Sequence, residues 1–256
     1  MRRIKLTVAY DGTNYCGWQV QNNGVSVQET LNKALSELFQ EPVRTIGASR
    51  TDSGVHARGN VAVFDTDSAM AADRIAFALN TYLPEDIRIQ GSEEVPPEFH
   101  PRFTETVKTY EYKILNRVFP DPLRRHDFFF RYGPLDEKEM DRAIRYLVGT
   151  HDFLSFTSEK EADENTVRTI YDARAWRTED EVHIRITGNG FLYHMVRIIA
   201  GTLIEIGRGV MRAEEMKTVL DGKDRELAGP TAKAEGLTLL EIRYPEWEKR
   251  EAGGEV

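Results

Sequence analysis

The chain has 256 residues, 40% of them hydrophobic and 30% charged, with a net charge of -8 and a single cysteine. These values exclude a disordered chain, a disulfide framework and a cysteine-built zinc site, and no apolar run is long enough to span a bilayer. The N-terminus MRRIKLTVAYDG lacks the layout of a secretory signal, and the lone Cys16 implies a reducing, cytoplasmic setting. The six histidines are scattered, with no pair at metal-ligand spacing. The acidic balance speaks against a general nucleic-acid binder. Net charge is only a sum, however. The acid is concentrated in 159–164 (EKEADE), 179–181 (EDE) and the tail after Pro245, which leaves room for a local basic groove.

In chain order, residues 4–10 (IKLTVAY) read as a strand ended by the turn pair Asp11-Gly12. Ser26-Val-Gln-Glu29 is a capping box. The helix behind it carries Val27, Leu31, Ala34, Leu35 and Leu38 on one face and stops at Glu41-Pro42. Residues 43–46 predict a short strand, 60–66 a second, 73–81 a helix and 87–95 a strand. Pro96-Pro97 and Pro101 mark a joint. Beyond it, YEYKIL (110–115) predicts a strand with Tyr110, Tyr112 and Ile114 on one face. A helix is predicted over 135–149, capped by Asp136 and stopped by Gly149. A hairpin over 170–187 turns near Glu179-Asp180, followed by an apolar helix over 191–207 and a closing strand over 238–244. The pattern predicts an α+β protein with mainly antiparallel sheets and two domains, 1–104 and 105–256.

The chemistry-bearing candidate is the loop SRTDSGVHARGNVAVF (49–64). Asp52 follows Arg50 and precedes Gly54, His56 and Arg58. An aspartate before Ser-Gly is often a turn residue, and spacing alone leaves the turn reading open beside the functional one. Arg197 lies in FLYHMVRIIAGTLIEIG, a helix apolar nearly all round. A guanidinium buried there needs an anion. Glu205 and Asp152 are candidates, and Asp52 is the sharper one. The small pair Ala200-Gly201 would let another backbone approach. Tyr110 is either core packing or a ring that stacks on a planar ligand. The segment Asp11-Gly12-Thr13 lacks the second acid of a phosphotransferase motif, since Ala9 stands in its place. There is no Walker-type glycine loop and no G-x-S-x-G.

The loop at 49–64 resembles the catalytic loop of the tRNA pseudouridine synthase A family, whose usual form is G-R-T-D-A-G-V-H-A; Ser49 and Ser53 stand here for its glycine and alanine. YDGTNYCGWQVQ (10–21), KTYEYKILN (108–116), NGFLYHMVRIIAGTLIEIGRG (189–209) and LAGPTAKAEGL (227–237) resemble further motifs of that family, in the same order. The resemblance covers nearly the whole chain up to about Trp247. It implies two RRM-like (ferredoxin-like) halves joined around a central catalytic cleft. It implies an isomerase that converts uridine to pseudouridine at positions 38, 39 and 40 of the tRNA anticodon stem-loop. A homodimer spanned by one tRNA is implied too, with no cofactor and no metal. Carried over residue by residue, Asp52 is the catalytic nucleophile and Tyr110 stacks on the uracil. Arg50 holds the flipped nucleotide, and Arg197 pairs with the catalytic acid; His56 and Arg58 receive no role. Two rivals remain beside this reading. A non-catalytic RNA-binding protein would not need Asp52. An aspartate-dependent hydrolase or phosphotransferase would need a second acid or a metal site.

Overall fold

The computed structural model describes residues 1–22, 24–158, 165–245 and 247. The acidic stretch 159–164 and the tail beyond 247 lie outside the described residues. In chain order the regular elements begin with β1 (Arg2–Tyr10), α1 (Val27–Phe39), β2 (Ile46–Gly47), β3 (His56–Thr66), α2 (Ala72–Leu79) and β4 (Ile87–Val95). Next come β5 (Val107–Asn116), β6 (Phe129–Arg131), α3 (Glu137–Ile144), β7 (Gly149–Asp152), β8 (Val167–Thr178) and β9 (Glu181–Gly188). The last are α4 (Met195–Gly207), α5 (Glu215–Gly222) and β10 (Leu237–Arg243). No helix among the described residues is long and apolar enough to cross a membrane. The chain packs as two units. Met1–Thr106 joins the chain from Thr238 onward, and Val107–Leu237 forms the other.

In the first unit β4, β1 and β3 lie in that order and pair antiparallel; β2 adds antiparallel to β3. Strand β10 joins β3 in parallel, at Thr238–His56 and Leu239–Ala57. Alternation in β1 buries Ile4, Leu6, Val8 and Tyr10. Ser26 caps α1, its hydroxyl accepting from the Glu29 N–H at 3.1 Å, and Phe39 at the far end packs on Phe64 of β3. The predicted strand over 43–46 shrinks to Ile46–Gly47. The Val43 and Thr45 N–H groups donate instead to the Ser36 hydroxyl and the Asn32 amide oxygen of α1, at 2.9 Å each. A ladder bond there would compete with these side chains.

In the second unit β5, β9, β8 and β7 lie in that order, all antiparallel, with β6 parallel to β5. The β8–β9 hairpin turns at Glu179, whose φ is 54°, next to Asp180. Tyr110, Tyr112 and Ile114 pair with Ile186, Ile184 and Val182 and share one buried face. Two helices differ from their predicted spans. α3 stops at Ile144 and tightens into a 3-10 turn over Arg145–Leu147, and Gly149, at φ 116°, opens β7 instead of ending a helix. α4 starts at Met195, because His194 holds a left-handed φ of 60° that no α-helix continues through. Its ring stacks on Tyr193 at 3.8 Å. The Asp136 cap is as predicted; its carboxylate accepts from the Lys138 and Glu139 N–H groups.

Candidate active site

Residues 48–55 connect β2 to β3 and carry Arg50 and Asp52. The Asp52 carbonyl accepts from the Val55 N–H at 3.1 Å and closes a four-residue turn. Gly54 takes its third position at φ 78°, the conformation a type II turn requires and glycine adopts without strain. Asp52 is half-buried, Arg50 and Arg58 are exposed, and His56 is buried.

The segment 10–18 holds this loop from below. The Trp18 N–H donates to the Thr51 carbonyl at 3.1 Å, and the Gly54 N–H donates to Tyr15 at 3.3 Å. The Thr51 hydroxyl meets the Tyr10 phenol at 2.7 Å, and the Asn60 amide reaches both Tyr10 and the Ser49 carbonyl. Gly17, at φ 104°, lies so close that a Cβ there would stand 2.6 Å from the Thr51 oxygen. A Cβ on Gly12 would overlap the Val55 carbonyl. His56 belongs to the same lashing. Its Nδ1 lies 3.1 Å from the Gly12 N–H and 3.1 Å from an Asp11 carboxylate oxygen, and that oxygen also caps the turn at Thr13. Sequence reasoning missed the holding roles of Tyr10, Trp18 and Asn60. The glycines at 12 and 17, within a stretch that also carries Tyr10, Tyr15 and Trp18, were the available signal of a close backbone approach.

Tyr110 and Arg197 belong to the second unit. Tyr110 is only 7% exposed and stands edge-on to Phe191, with ring centroids 5.1 Å apart. Arg197 is half-buried in the first turn of α4. Its Nε donates to the Ala232 carbonyl at 2.8 Å, and the Ala232 N–H returns a bond to the Arg197 carbonyl at 3.0 Å. One residue on, the Lys233 carbonyl accepts from the Tyr112 phenol at 2.9 Å, so adjacent carbonyls tie α4 and β5 to one strap. Burial pushes the Tyr112 phenol up, with the Glu235 charge adding to it and the Arg197 charge opposing. The two alternative acids have other cations. Glu205 pairs with Arg208 at 2.7 Å, and Asp152 with Lys223 at 2.8 Å.

The strap approaches α4 closely because the helix presents small residues there. A Cβ on Gly201 would overlap the Pro230 carbonyl oxygen, and one on Gly229 would stand 2.7 Å from the Thr202 Cα. The buried Thr202 hydroxyl accepts from the Gly229 N–H at 2.9 Å and donates to Ile198.

The sequence profile of a family described as tRNA pseudouridine synthase matches residues 6–104 and 143–245. A protein of Acetivibrio thermocellus named tRNA pseudouridine synthase A is 48% identical over 244 residues, which span 95% of this chain and all of that one. Proteins of the same name from Thermoanaerobacter sp. and Clostridium acetobutylicum are 46% and 45% identical, again over 95% of this chain and the full length of each relative.

Proposed function

The chain belongs to the tRNA pseudouridine synthase family, whose enzymes are isomerases, and from that premise we propose that it converts uridine to pseudouridine at positions 38, 39 and 40 of the tRNA anticodon stem-loop, with Asp52 as the nucleophile. The observation that carries the role of Asp52 is its mounting. A half-buried carboxylate sits on a loop whose backbone is fixed on both sides by Trp18, Tyr15, Tyr10 and Asn60. A nucleophile so held need not be ordered again in the transition state.

The reaction breaks the bond from C1′ to N1 of uracil, turns the base and closes a bond from C1′ to C5; the C5 proton leaves and N1 takes up a proton. Nothing is added or removed overall, so no co-substrate is needed. A uridine within a stem must first be flipped out, at a cost of about a few kcal/mol. Arg50, exposed two residues before Asp52, is the residue proposed to hold it out. Tyr110 is proposed to stack on the flipped uracil and Arg197 to pair with the Asp52 carboxylate. The assignment of both rests on the family resemblance. Each unit is read as RRM-like. The strand order β4-β1-β3-β2 and the succession of strands and helices support that reading for the first unit, and β5-α3-β8-β9-α4 supports it for the second. The enzyme is proposed to act in the cytoplasm, as the lone Cys16 implies, and as a homodimer, as the resemblance implies.

Pseudouridine mapping on unmodified tRNA, with a metal chelator present, tests the reading. The wild type is expected to modify 38–40. Asp52→Ala is expected to modify nothing while binding tRNA within about tenfold of wild type. An active Asp52→Ala enzyme would remove the nucleophile from this account.

A further inference from the structure

Near the Asp52 loop lies a second feature that none of these assignments uses. Residues 100–104 (HPRFT) form a compact turn at the end of the first unit's joint. The Thr104 N–H donates to the His100 carbonyl at 3.0 Å, and the Tyr244 phenol holds the Pro101 carbonyl at 3.1 Å. His100 Nδ1 accepts from the N–H groups of Arg102 and Phe103, at 3.2 and 3.3 Å. The turn is therefore a rigid mount.

On this mount the Phe103 ring stacks against the His100 imidazole, 4.2 Å between centroids and 21° between planes. Its other face is open, and the residue is 85% exposed. A single exposed aromatic is ordinary on a protein surface. What sets this one apart is its neighbour. The Arg102 Nε donates to the Gly47 carbonyl at 2.8 Å, which places this guanidinium against the strand that leads into the Asp52 loop. Burial, then the like charge of Arg50, lowers Arg102 below its ordinary value. Among the described residues neither has an acidic partner, on a chain where acids outnumber bases. A guanidinium with no acidic partner beside a preset aromatic face forms the chemistry that recognises a nucleotide, a phosphate for the fork and a π-face for the ring.

We propose that Arg102 and Phe103 form a subsite for the nucleotide adjoining the flipped uridine, with Phe103 stacking its base and Arg102 holding its phosphate. The subsite rests on the tRNA reading given above. Stacking is indifferent to base identity, so it would hold the neighbour without demanding a sequence.

The test compares the wild-type protein with Phe103→Ala, Phe103→Trp and Arg102→Gln. Affinity for an unmodified tRNA transcript is measured at several salt concentrations, alongside KM and kcat for pseudouridine formation and the sedimentation of each variant. Phe103→Ala is expected to weaken binding about tenfold with an unchanged salt slope, and Phe103→Trp to restore it. Arg102→Gln is expected to weaken binding and to reduce the salt slope by about one phosphate contact. Both losses should fall on KM, with kcat held. If the wild type makes pseudouridine and both variants bind tRNA with its affinity and slope, the subsite is wrong and the tRNA reading stands. If Phe103→Ala changes the sedimentation and leaves the affinity alone, the ring covers another copy of the chain and the subsite is equally wrong. A wild type that neither binds nor modifies tRNA removes the subsite together with the reading beneath it.

Discussion

At the scale of single residues, charge is placed for two different purposes. Arg50, Arg58 and Arg102 are exposed in the first unit. Glu111 of β5 is the opposite case, buried and fully engaged. It accepts from Arg185 of β9 at 2.9 Å and has His183 at 3.7 Å. Burial alone would raise its carboxyl, but the close His183 imidazole, the Arg185 hydrogen bond and the charges of both outweigh it and hold the group down at about 2, from an ordinary 4.5. A folded value below the unfolded one stabilises the fold at every pH above about 4.5, and the contribution fades as pH falls through about 2. Glu111→Gln, which also strands the Arg185 guanidinium, is therefore expected to lower the urea midpoint clearly at pH 6 and progressively less as pH falls toward 2. A gap between the two proteins that stays constant down to pH 2 would show that Glu111 contributes through packing and not through its charge. This pair was not legible in the sequence, because it depends on the β5–β9 register that sets Glu111 opposite Arg185.

At the scale of elements, the contact that fixes Arg197 is made by a strap with no regular structure, crossing α4 where the helix has no side chain. Gly201 is the residue that admits it, and Thr202 anchors it. Gly201→Ala would improve helix propensity by up to about 1 kcal/mol in isolation. In place, its methyl must push Pro230 away, and backbone cannot yield as a flexible side chain can. The variant is expected to lose about 3 kcal/mol of stability in thermal melts, and turnover with it, because Ala232 would no longer hold the Arg197 Nε. Gly209→Ala, where nothing lies within 4 Å but φ is 75°, serves as the comparison for backbone strain alone. Ala200-Gly201 was readable in the sequence as a place where another backbone could come close, and so was the apolar character of α4. Its start was not, since the left-handed His194 is set by the Tyr193 stack and a Ser158 hydrogen bond at 2.8 Å. The loop that carries Asp52 was equally plain as a motif. Its support was hidden, because the bonds from Tyr10, Trp18 and Asn60 join residues up to 50 positions apart.

At the scale of the molecule, the first unit is closed by the end of the chain. β10 pairs with β3 at His56 and Ala57, directly beside the turn that carries Asp52. A Cβ on Gly59 would stand 2.9 Å from the Leu240 carbonyl, so the strand passes flush against the motif. Just beyond β10, Tyr244 is buried, edge-on to Phe99 at 4.8 Å, with its hydroxyl on the Pro101 carbonyl. Burial accordingly pushes its phenol well up. The same ring thus fills the core of the first unit and fastens the turn bearing Arg102 and Phe103. Tyr244→Ala is expected to cost about 3–5 kcal/mol of stability through the lost ring. Tyr244→Phe keeps the ring and removes only the hydroxyl, for about 1 kcal/mol. The two substitutions separate packing from fastening. If the hydroxyl fixes the turn, Tyr244→Phe should raise hydrogen exchange at the Phe103 and Thr104 amides while β1 and β3 stay protected, and Tyr244→Ala should loosen both. Unchanged exchange at 103 and 104 in Tyr244→Phe would mean that the His100 bonds alone hold the turn.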